Sequence, residues 1–328
     1  MPLRTAVIGV GHLGEQHARI HAGLAAEGLS TFAGVCDIDE SRAQTAGRKW
    51  GANSTTDWRA LIGEADAVSL AVPTESHCEI ACGLLEAGIH VLVEKPISRT
   101  LEEADRMIAA GKQGNSILQV GHAERFNPAL VALRPYVRNP VYFEIHRVGQ
   151  FTARSLDIDV VLDLMIHDLD IVQWLVGEEV EVTSLHAVGI PILTNRVDAA
   201  NARLEFATGA VANITASRVG TERIRKMRFF QPRDYVVVDY ATNHASISNL
   251  SPPTVTPWPG VNTRILEVEN IEPLRAEIES FLNAITGGSP SLVSGEDGRR
   301  ALALALRTLQ QIQTHTAKSG VSAFLQNA

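Results

Sequence analysis

Short apolar runs alternate with amphipathic stretches along about the first 120 residues of the chain. The apolar runs are residues 3–8, 31–36, 67–72, 89–93 and 117–120. The stretches between them include 15–26, 76–87 and 101–111, where apolar residues recur at helical spacing. Buried parallel strands read as continuous apolar runs, and crossover helices join them. The pattern therefore predicts βαβ units and an α/β fold with a doubly wound parallel sheet.

After residue 122 the pattern changes to strand-like segments separated by turn signals. In residues 141–148 apolar and polar side chains alternate, as they do in a strand with one buried face. Further strand-like runs are 180–188, 199–206, 210–217, 226–230, 235–239 and 244–248, and helical stretches are 157–176, 273–285 and 298–316. This half predicts an α+β domain with an open, mostly antiparallel sheet and helices on one face. We therefore expect two domains, residues 1–122 and 123–328.

A glycine-rich turn joins the first predicted strand to the first predicted helix. It reads Gly9-Val10-Gly11-His12-Leu13-Gly14, which is the spacing G-x-G-x-x-G. Gly9 makes the tight turn, Gly11 allows a pyrophosphate close to the backbone, and Gly14 lets the helix pack on the strand. The amino terminus of the following helix offers N–H groups and a positive dipole end to phosphates. We expect these residues, with His12 and Leu13, to bind a dinucleotide.

An acidic residue ends the second predicted strand. Asp37 lies 23 residues after Gly14, where a carboxylate hydrogen-bonds the ribose hydroxyls of the adenosine. A carboxylate there also repels a 2′-phosphate, so the sequence favours NAD over NADP. Arg42 lies close by in the sequence and keeps NADP as the less favoured alternative. Together with the glycine turn, Asp37 identifies residues 1–122 as a Rossmann domain.

Glu94, Lys95 and Pro96 follow the apolar run 89–93. Ligands of open parallel sheets bind outside the carboxyl ends of the strands, so Glu94 and Lys95 are placed for binding or chemistry. The alternative is an ion pair at the surface. Composition adds little to this choice, because the net charge of −8 is spread along the chain and favours neither a nucleic acid nor a membrane partner.

An acid and an imidazole lie four residues apart in the second half. Asp163 and His167 share one face of a predicted helix, and their neighbours in 160–166 are mostly apolar. A pair that only satisfies itself is the alternative to a catalytic one. Oxidation of an alcohol needs a base for the hydroxyl proton, and an imidazole with a pKa of about 6.5 suits that task. Lys95 is the other candidate for the base, or it donates to the substrate oxygen, and Asp163 orients either group.

Other features exclude some classes of site and location. The three cysteines, Cys36, Cys78 and Cys82, form neither a disulfide framework nor a metal-ligand set, so we expect no metal. The amino terminus leads directly into a strand without a signal sequence, and no apolar run reaches the length of a membrane span. We therefore expect a cytoplasmic protein.

The motifs together resemble the glucose–fructose oxidoreductase/inositol dehydrogenase family, and the resemblance extends to residues 292–298 near the carboxyl terminus. It implies that Lys95 is catalytic, that the Lys95–Pro96 bond is often cis, and that Asp163 and His167 complete the active site. It also implies that Pro73, Thr74 and His77, with Glu94, belong to the cofactor site. The open sheet often makes the oligomer interface in this family, so a homodimer or homotetramer is expected.

Residues 121–128 and 163–170 resemble the branch of that family that oxidises the 3-hydroxyl of UDP-N-acetylglucosamine. The resemblance implies a nucleotide-sugar substrate, with Arg125, Asn127, Arg218 and Arg223 as candidate binding residues. Ordinary surface arginines are the alternative. Residues 157–160 lack the paired glycines that many relatives carry there, which makes a free polyol such as inositol less favoured. A non-catalytic NAD-binding regulatory protein is the other alternative, although such a protein needs neither Lys95 nor His167.

Overall fold

The computed structural model describes residues 2–150, 158–251 and 260–319. The chain divides into two compact units. The first comprises Met1–Ala123 and Glu272–Leu302, and the second comprises Glu124–Ile271 and Ala303–Ala328. The structure thus groups 272–302 with the first unit, whereas the domain bounds predicted from the sequence assign that segment to the second.

The first unit is built on a parallel sheet. Its elements up to residue 121 are β1 (Leu3–Ile8), α1 (His12–Ala26), β2 (Ser30–Cys36), α2 (Glu40–Trp50), β3 (Asn53–Thr55), β4 (Ala67–Leu70), α3 (His77–Glu86), β5 (His90–Glu94), α4 (Leu101–Gln113) and β6 (Leu118–Gly121). Among the described residues the strand order is β3-β2-β1-β4-β5-β6, with every pair parallel. The order reverses between β1 and β4, so their carboxyl ends open a crevice there.

The second half of the chain forms a larger sheet. Its elements are α5 (Pro128–Leu133), β7 (Tyr142–Val148), α6 (Ile166–Val176), β8 (Val182–Ile190), β9 (Ala199–Phe206), β10 (Val211–Ser217), β11 (Ile224–Gln231), β12 (Asp234–Asp239), β13 (His244–Ser251), β14 (Gly260–Ile265), α7 (Pro273–Gly287) and α8 (Gly295–Ser319). The order in the described residues is β14-β13-β12-β11-β7-β10-β9-β8. The pair β7–β10 is parallel and the others are antiparallel, which confirms the predicted α/β fold with a mostly antiparallel second sheet.

Packing of α7 explains why residues 272–302 belong to the first unit. Ile278 and Phe281 on α7 are fully buried against Ile20 and Leu24 of α1 and Leu92 of β5. Burying apolar side chains of this size contributes about 1.5–3 kcal/mol each. The periodicity of the sequence predicts a helix at 273–285, but it does not indicate which helix and which strand pack against the apolar face of that helix.

Other differences from the predicted elements are local. The strands β3 and β14 and the helix α2 had not been predicted, and the last helix begins at Gly295 rather than at 298. The predicted helix 157–176 starts outside the described residues, and its turn Val161–Met165 is a π-helix before α6 begins. In the part of the chain that the structure describes, no helix combines the length and the apolar character required to cross a bilayer.

Candidate active site

The glycine turn after β1 has the geometry that its sequence predicts. Gly9 has φ +84°, and a Cβ there would lie 2.6 Å from the Ala71 carbonyl oxygen. A Cβ on Gly14 would lie 1.7 Å from the Gly9 oxygen, so helix and turn could not pack with any larger residue. Within the described residues, no atom other than those of Gly11 and its two chain neighbours lies within 4 Å of the position of a Cβ on Gly11, which is the N-cap residue of α1. The turn therefore leaves space above Gly11 for a phosphate at the helix amino terminus.

Asp37 at the end of β2 is held in a fixed orientation. It is 6% exposed, and its carboxylate accepts hydrogen bonds from the amides of Val10 at 3.0 Å and Asp39 at 2.9 Å. The Arg42 guanidinium lies 3.5 Å from the same carboxylate and also pairs with Asp39. Asp37 therefore presents a negative charge beside the glycine turn, and Arg42 partly compensates it.

A cavity of about 550 Å³ opens beside the glycine turn in the first unit. We call it the glycine-turn cavity. Its lining includes predicted site residues from the carboxyl ends of four strands, namely Gly9, Gly11, Leu13, Asp37, Pro73, Glu94 and Lys95. The predicted site residues His12, Gly14, Thr74 and His77 are not among its lining residues. The cavity has the size and position of a dinucleotide crevice in a doubly wound sheet.

Glu94 is the last residue of β5 and Lys95 follows it, and the Lys95–Pro96 peptide bond is cis, as the resemblance implies. The buried Glu94 carboxylate accepts hydrogen bonds from His17 Nε2 at 2.9 Å and from the Lys95 amide at 3.2 Å. Burial raises the pKa of Glu94, but the hydrogen bond and charge of His17, with the charge of Lys95, hold it below its usual value. An ionised Glu94 thus fixes the backbone of Lys95 by accepting a hydrogen bond from its amide.

His17 and Glu277 are buried groups near this site that sequence reasoning missed. Glu277 on α7 is fully buried, and its carboxyl oxygens have no hydrogen-bond partner in the part of the chain that the structure describes. Burial and the charge of Glu94 raise the pKa of Glu277 well above its usual value. His17 lies one turn after Gly14 on the buried face of α1. It contacts Glu94 only because the folded sheet brings α1 and β5 together. Counting helical turns from the glycine turn predicts that His17 faces the sheet. The sequence contains no comparable signal that places Glu277 near this site.

In the second unit Asp163 lies within the π-helical turn Val161–Met165, and His167 follows at the start of α6. Both side chains are half-buried, whereas Val161, Met165 and Ile166 are buried. π-Helical turns are frequent at functional sites because they redirect side chains within a helix. Asp163 and His167 are thus both partly accessible, and their predicted roles in catalysis stay predictions.

The start of α6 is anchored to β7 by a buried ion pair. Arg147 on β7 donates two hydrogen bonds of 2.8 Å to Asp168, the residue after His167, and one of 2.9 Å to Glu124. Burial raises the pKa of Asp168, an effect that the Arg147 charge opposes. This pair fixes the backbone next to His167.

Three of the predicted substrate residues have partners among the residues that the structure describes. Arg125 is 1% exposed and donates to Asp170 and Glu178. Asn127 caps α5 by accepting a hydrogen bond from the Ala129 amide at 3.1 Å. Arg218 is 6% exposed and pairs with Asp198 at 3.2 Å. Arg223 is exposed. These contacts give the first three residues structural roles, and their predicted roles in substrate binding stay predictions.

Comparison with known proteins gives two family matches and several full-length relatives. The model described as "Oxidoreductase family, NAD-binding Rossmann fold" matches residues 3–122, and that of the "GFO/IDH/MocA C-terminal domain" matches residues 101–230. The UDP-N-acetylglucosamine 3-dehydrogenase of Acidithiobacillus ferrooxidans is 39% identical over 325 residues, which are 99% of each chain. The myo-inositol 2-dehydrogenase of Thermotoga maritima is 28% identical, with 95% of this chain and 96% of that protein covered.

Solved structures agree with these matches. A structure of the Acidithiobacillus ferrooxidans enzyme has a TM-score of 0.89 at 39% identity and covers 96% of this chain and 98% of its own. Levoglucosan dehydrogenase in complex with NADH and levoglucosan has a TM-score of 0.85 at 21% identity, over 96% of this chain and 98% of its own. The second likeness shows the common fold alone.

Proposed function

Since the chain belongs to the GFO/IDH/MocA family of NAD-binding oxidoreductases, we propose that it oxidises a secondary hydroxyl of a nucleotide sugar, with UDP-N-acetylglucosamine at its 3-position as the first candidate. The observation that carries the proposal is that Lys95 lines the same cavity as the glycine turn and Asp37. A lysine there can reach a substrate oxygen next to a bound cofactor. The name of the 39% identical relative supplies the substrate class.

The residues of the first unit bind and orient the reactants. The glycine turn and the α1 amino terminus hold the pyrophosphate, and Asp37 accepts hydrogen bonds from the ribose hydroxyls. NAD, when bound, supplies the acceptor for the hydride. Lys95 donates a hydrogen bond to the substrate oxygen, or takes the hydroxyl proton when its amine is neutral. Glu94 keeps the Lys95 backbone in place.

In the second unit we assign His167 as the other candidate for the base. An imidazole accepts a proton near neutral pH, and Asp163 on the same segment orients the substrate or the charged group. One measurement distinguishes the two candidates for the base, Lys95 and His167. Replacing the group that takes the proton abolishes the pH dependence of kcat, whereas replacing the group that only orients the substrate lowers kcat at every pH.

The test is NAD⁺ reduction with UDP-N-acetylglucosamine, myo-inositol or glucose. Turnover with the nucleotide sugar alone supports the proposal, and turnover with the free polyol or sugar alone overturns the substrate class. The variant Lys95→Ala should lower kcat by about 10²–10⁴-fold, the range for a general acid or base. Lys112→Ala is the matched control, because Lys112 forms a surface ion pair with Glu296. Full turnover of Lys95→Ala would remove Lys95 from the mechanism.

We also propose that the protein is a homodimer or homotetramer formed through the eight-stranded sheet. Val188, Ile190 and Phe230 lie on exposed positions of its strands, with 41–44% of each residue exposed. Apolar side chains on a sheet face are typical of an interface. Light scattering during size-exclusion chromatography tests this, and a monomer at micromolar concentration would contradict it. A cytoplasmic location and the lack of a nucleic-acid partner stay predictions.

A further inference from the structure

His77, the first residue of α3, lies between two loops that line the glycine-turn cavity. It is 1% exposed and therefore buried beneath the cavity rather than part of its wall. The first loop follows β4 and contributes Val72 and Pro73 to the lining. The second loop follows β5 and begins with Lys95. A residue in this position can set the separation of the two loops.

Both ring nitrogens of His77 face carbonyl oxygens. Nε2 lies 3.0 Å from the Val72 oxygen, at the start of the first loop. Nδ1 lies 3.1 Å from the Pro96 oxygen and 3.3 Å from the Ile97 oxygen, in the second loop. Each of these partners can only accept a hydrogen bond. A neutral imidazole has one N–H and one lone pair, whereas an imidazolium has two N–H donors. The doubly protonated ring alone donates to both loops at once.

We propose that His77 is a positioning residue whose imidazolium ties the loop after β4 to the loop after β5, and thereby holds Lys95 at its place in the cofactor site. The inference goes beyond the cofactor contact that the sequence predicts for His77. It rests on one part of the proposed function, namely that the glycine-turn cavity binds the dinucleotide.

The surroundings of His77 act on its charge in opposite directions. Burial has the largest effect and holds the pKa of His77 below the ordinary histidine value, although hydrogen bonds to the three carbonyls and the charge of Glu94 raise it in part. Charged residues on the neighbouring elements are Glu75 before α3, Glu94 at the end of β5, Lys95 and Arg99 after it, and Glu103 and Arg106 on α4. Loss of one proton leaves a ring lone pair facing a carbonyl lone pair, so one of the two loops is released. The attachment is therefore complete below the pKa of His77 and half lost above it.

The experiment measures NADH affinity by fluorescence between pH 5.5 and 8.5 for the wild type, His77→Gln and His77→Phe. The glutamine side chain has one nitrogen donor and does not titrate in this pH range, so it imitates the neutral imidazole ring. The phenylalanine ring fills the space and donates to neither loop. We expect wild-type affinity to weaken by about tenfold as pH rises, which corresponds to the loss of one hydrogen bond. His77→Gln should have a flat profile near the high-pH wild-type value, and His77→Phe should bind more weakly than both.

His90→Gln is the matched control, because His90 Nδ1 accepts a hydrogen bond from the Ile117 amide and ties no cavity loop. It should reproduce the wild-type profile. The second measurement is the ¹⁵N spectrum of histidine-labelled protein, in which the signals missing from His77→Gln are those of His77. Both ring nitrogens should be protonated at pH 5.5, with or without NADH.

The outcomes separate the two proposals. A wild type that does not bind NADH would overturn the cofactor site and leave the ¹⁵N test of His77 in force. Normal binding with a neutral His77 ring throughout the pH range would overturn the inference alone. Equal NADH affinity of His77→Phe and the wild type would also overturn it. If His77→Phe does not fold, the profile of His77→Gln and the ¹⁵N spectrum still decide.

Discussion

Removing the charge of Asp170 should destabilise the second unit strongly, because Asp170 neutralises a buried arginine. The Arg125 guanidinium donates to its two carboxylate oxygens at 2.9 and 2.7 Å, and both side chains are at most 2% exposed. Asp170→Asn keeps the shape of the side chain but leaves Arg125 with Glu178, whose side chain is 37% exposed. Breaking a buried pair by removing one partner costs about 3–5 kcal/mol. The remaining Glu178 contact places the expected loss at the lower end, ~3 kcal/mol.

The assay is thermal and urea unfolding followed by circular dichroism. For a unit of this size 1 kcal/mol corresponds to about 2–4 °C, so Asp170→Asn should lower the unfolding temperature of the second unit by ~6–12 °C. Glu178→Gln is the control, because a half-exposed partner contributes about 1 kcal/mol or less. A loss below ~1 kcal/mol for Asp170→Asn would refute the buried-pair reasoning.

The same residues decide between a structural and a substrate role for Arg125. Arg125→Met removes the charge and the cation–π contact with Trp174, whose ring centroid lies 5.5 Å from the guanidinium carbon, but keeps a long side chain at this position. If Arg125 is structural, the variant loses stability while KM for the sugar changes little in the folded protein. A tenfold rise in KM without loss of stability would restore the substrate role that the sequence predicts.

Two further changes test the first unit. The folded-state pKa of Glu277 is raised, so its stabilising contribution is present below the ordinary carboxyl pKa and is lost as pH rises towards the folded value. The variant Glu277→Gln has no carboxyl group there and so does not lose this stability. As pH rises through that window, the unfolding free energy of the variant should increase relative to that of the wild type by up to about 1.4 kcal/mol per pH unit. If urea unfolding gave the same difference between variant and wild type at pH 5 and at pH 8, this reasoning would be contradicted. Asp37→Ser should shift the kcat/KM preference towards NADP by about tenfold or more, because the repulsion of a 2′-phosphate is removed while Arg42 remains. An unchanged cofactor ratio would show that Asp37 does not face the ribose.

The cavity that brings the glycine turn, Asp37 and Lys95 together could be predicted because its signals are local. Gly9, Gly11 and Gly14 lie within six residues, and at Gly9 and Gly14 the close backbone contacts exclude any larger residue. Asp37 and Lys95 each follow an apolar run. Parallel strands place their carboxyl ends at one edge of a sheet, so two strand ends far apart in sequence still predict one site.

The groups beneath that site could not be predicted, because they are brought together by packing alone. His17 and Glu94 are 77 residues apart in sequence, yet their side chains hydrogen-bond at 2.9 Å. Glu277 reaches the region only because the apolar face of α7 packs on α1 and β5. Periodicity shows that a helix has an apolar face but not which surface covers it. The same limitation explains why the domain bounds predicted from the sequence differ from the grouping of residues 272–302 in the structure.

The arginines of the second unit carry the most consequence for substrate choice. From the sequence each is a cation of unknown partner, whereas in the structure several are neutralised by aspartates 20–45 residues away, namely Arg125 by Asp170, Arg147 by Asp168 and Arg218 by Asp198. A neutralised arginine has little charge left to offer a diphosphate. We therefore expect exposed cations to supply part of the positive charge for a nucleotide substrate, and Arg223 is an exposed residue predicted for this role. Arg223 is thus the residue whose replacement by alanine should raise KM for a nucleotide sugar but not for a neutral sugar.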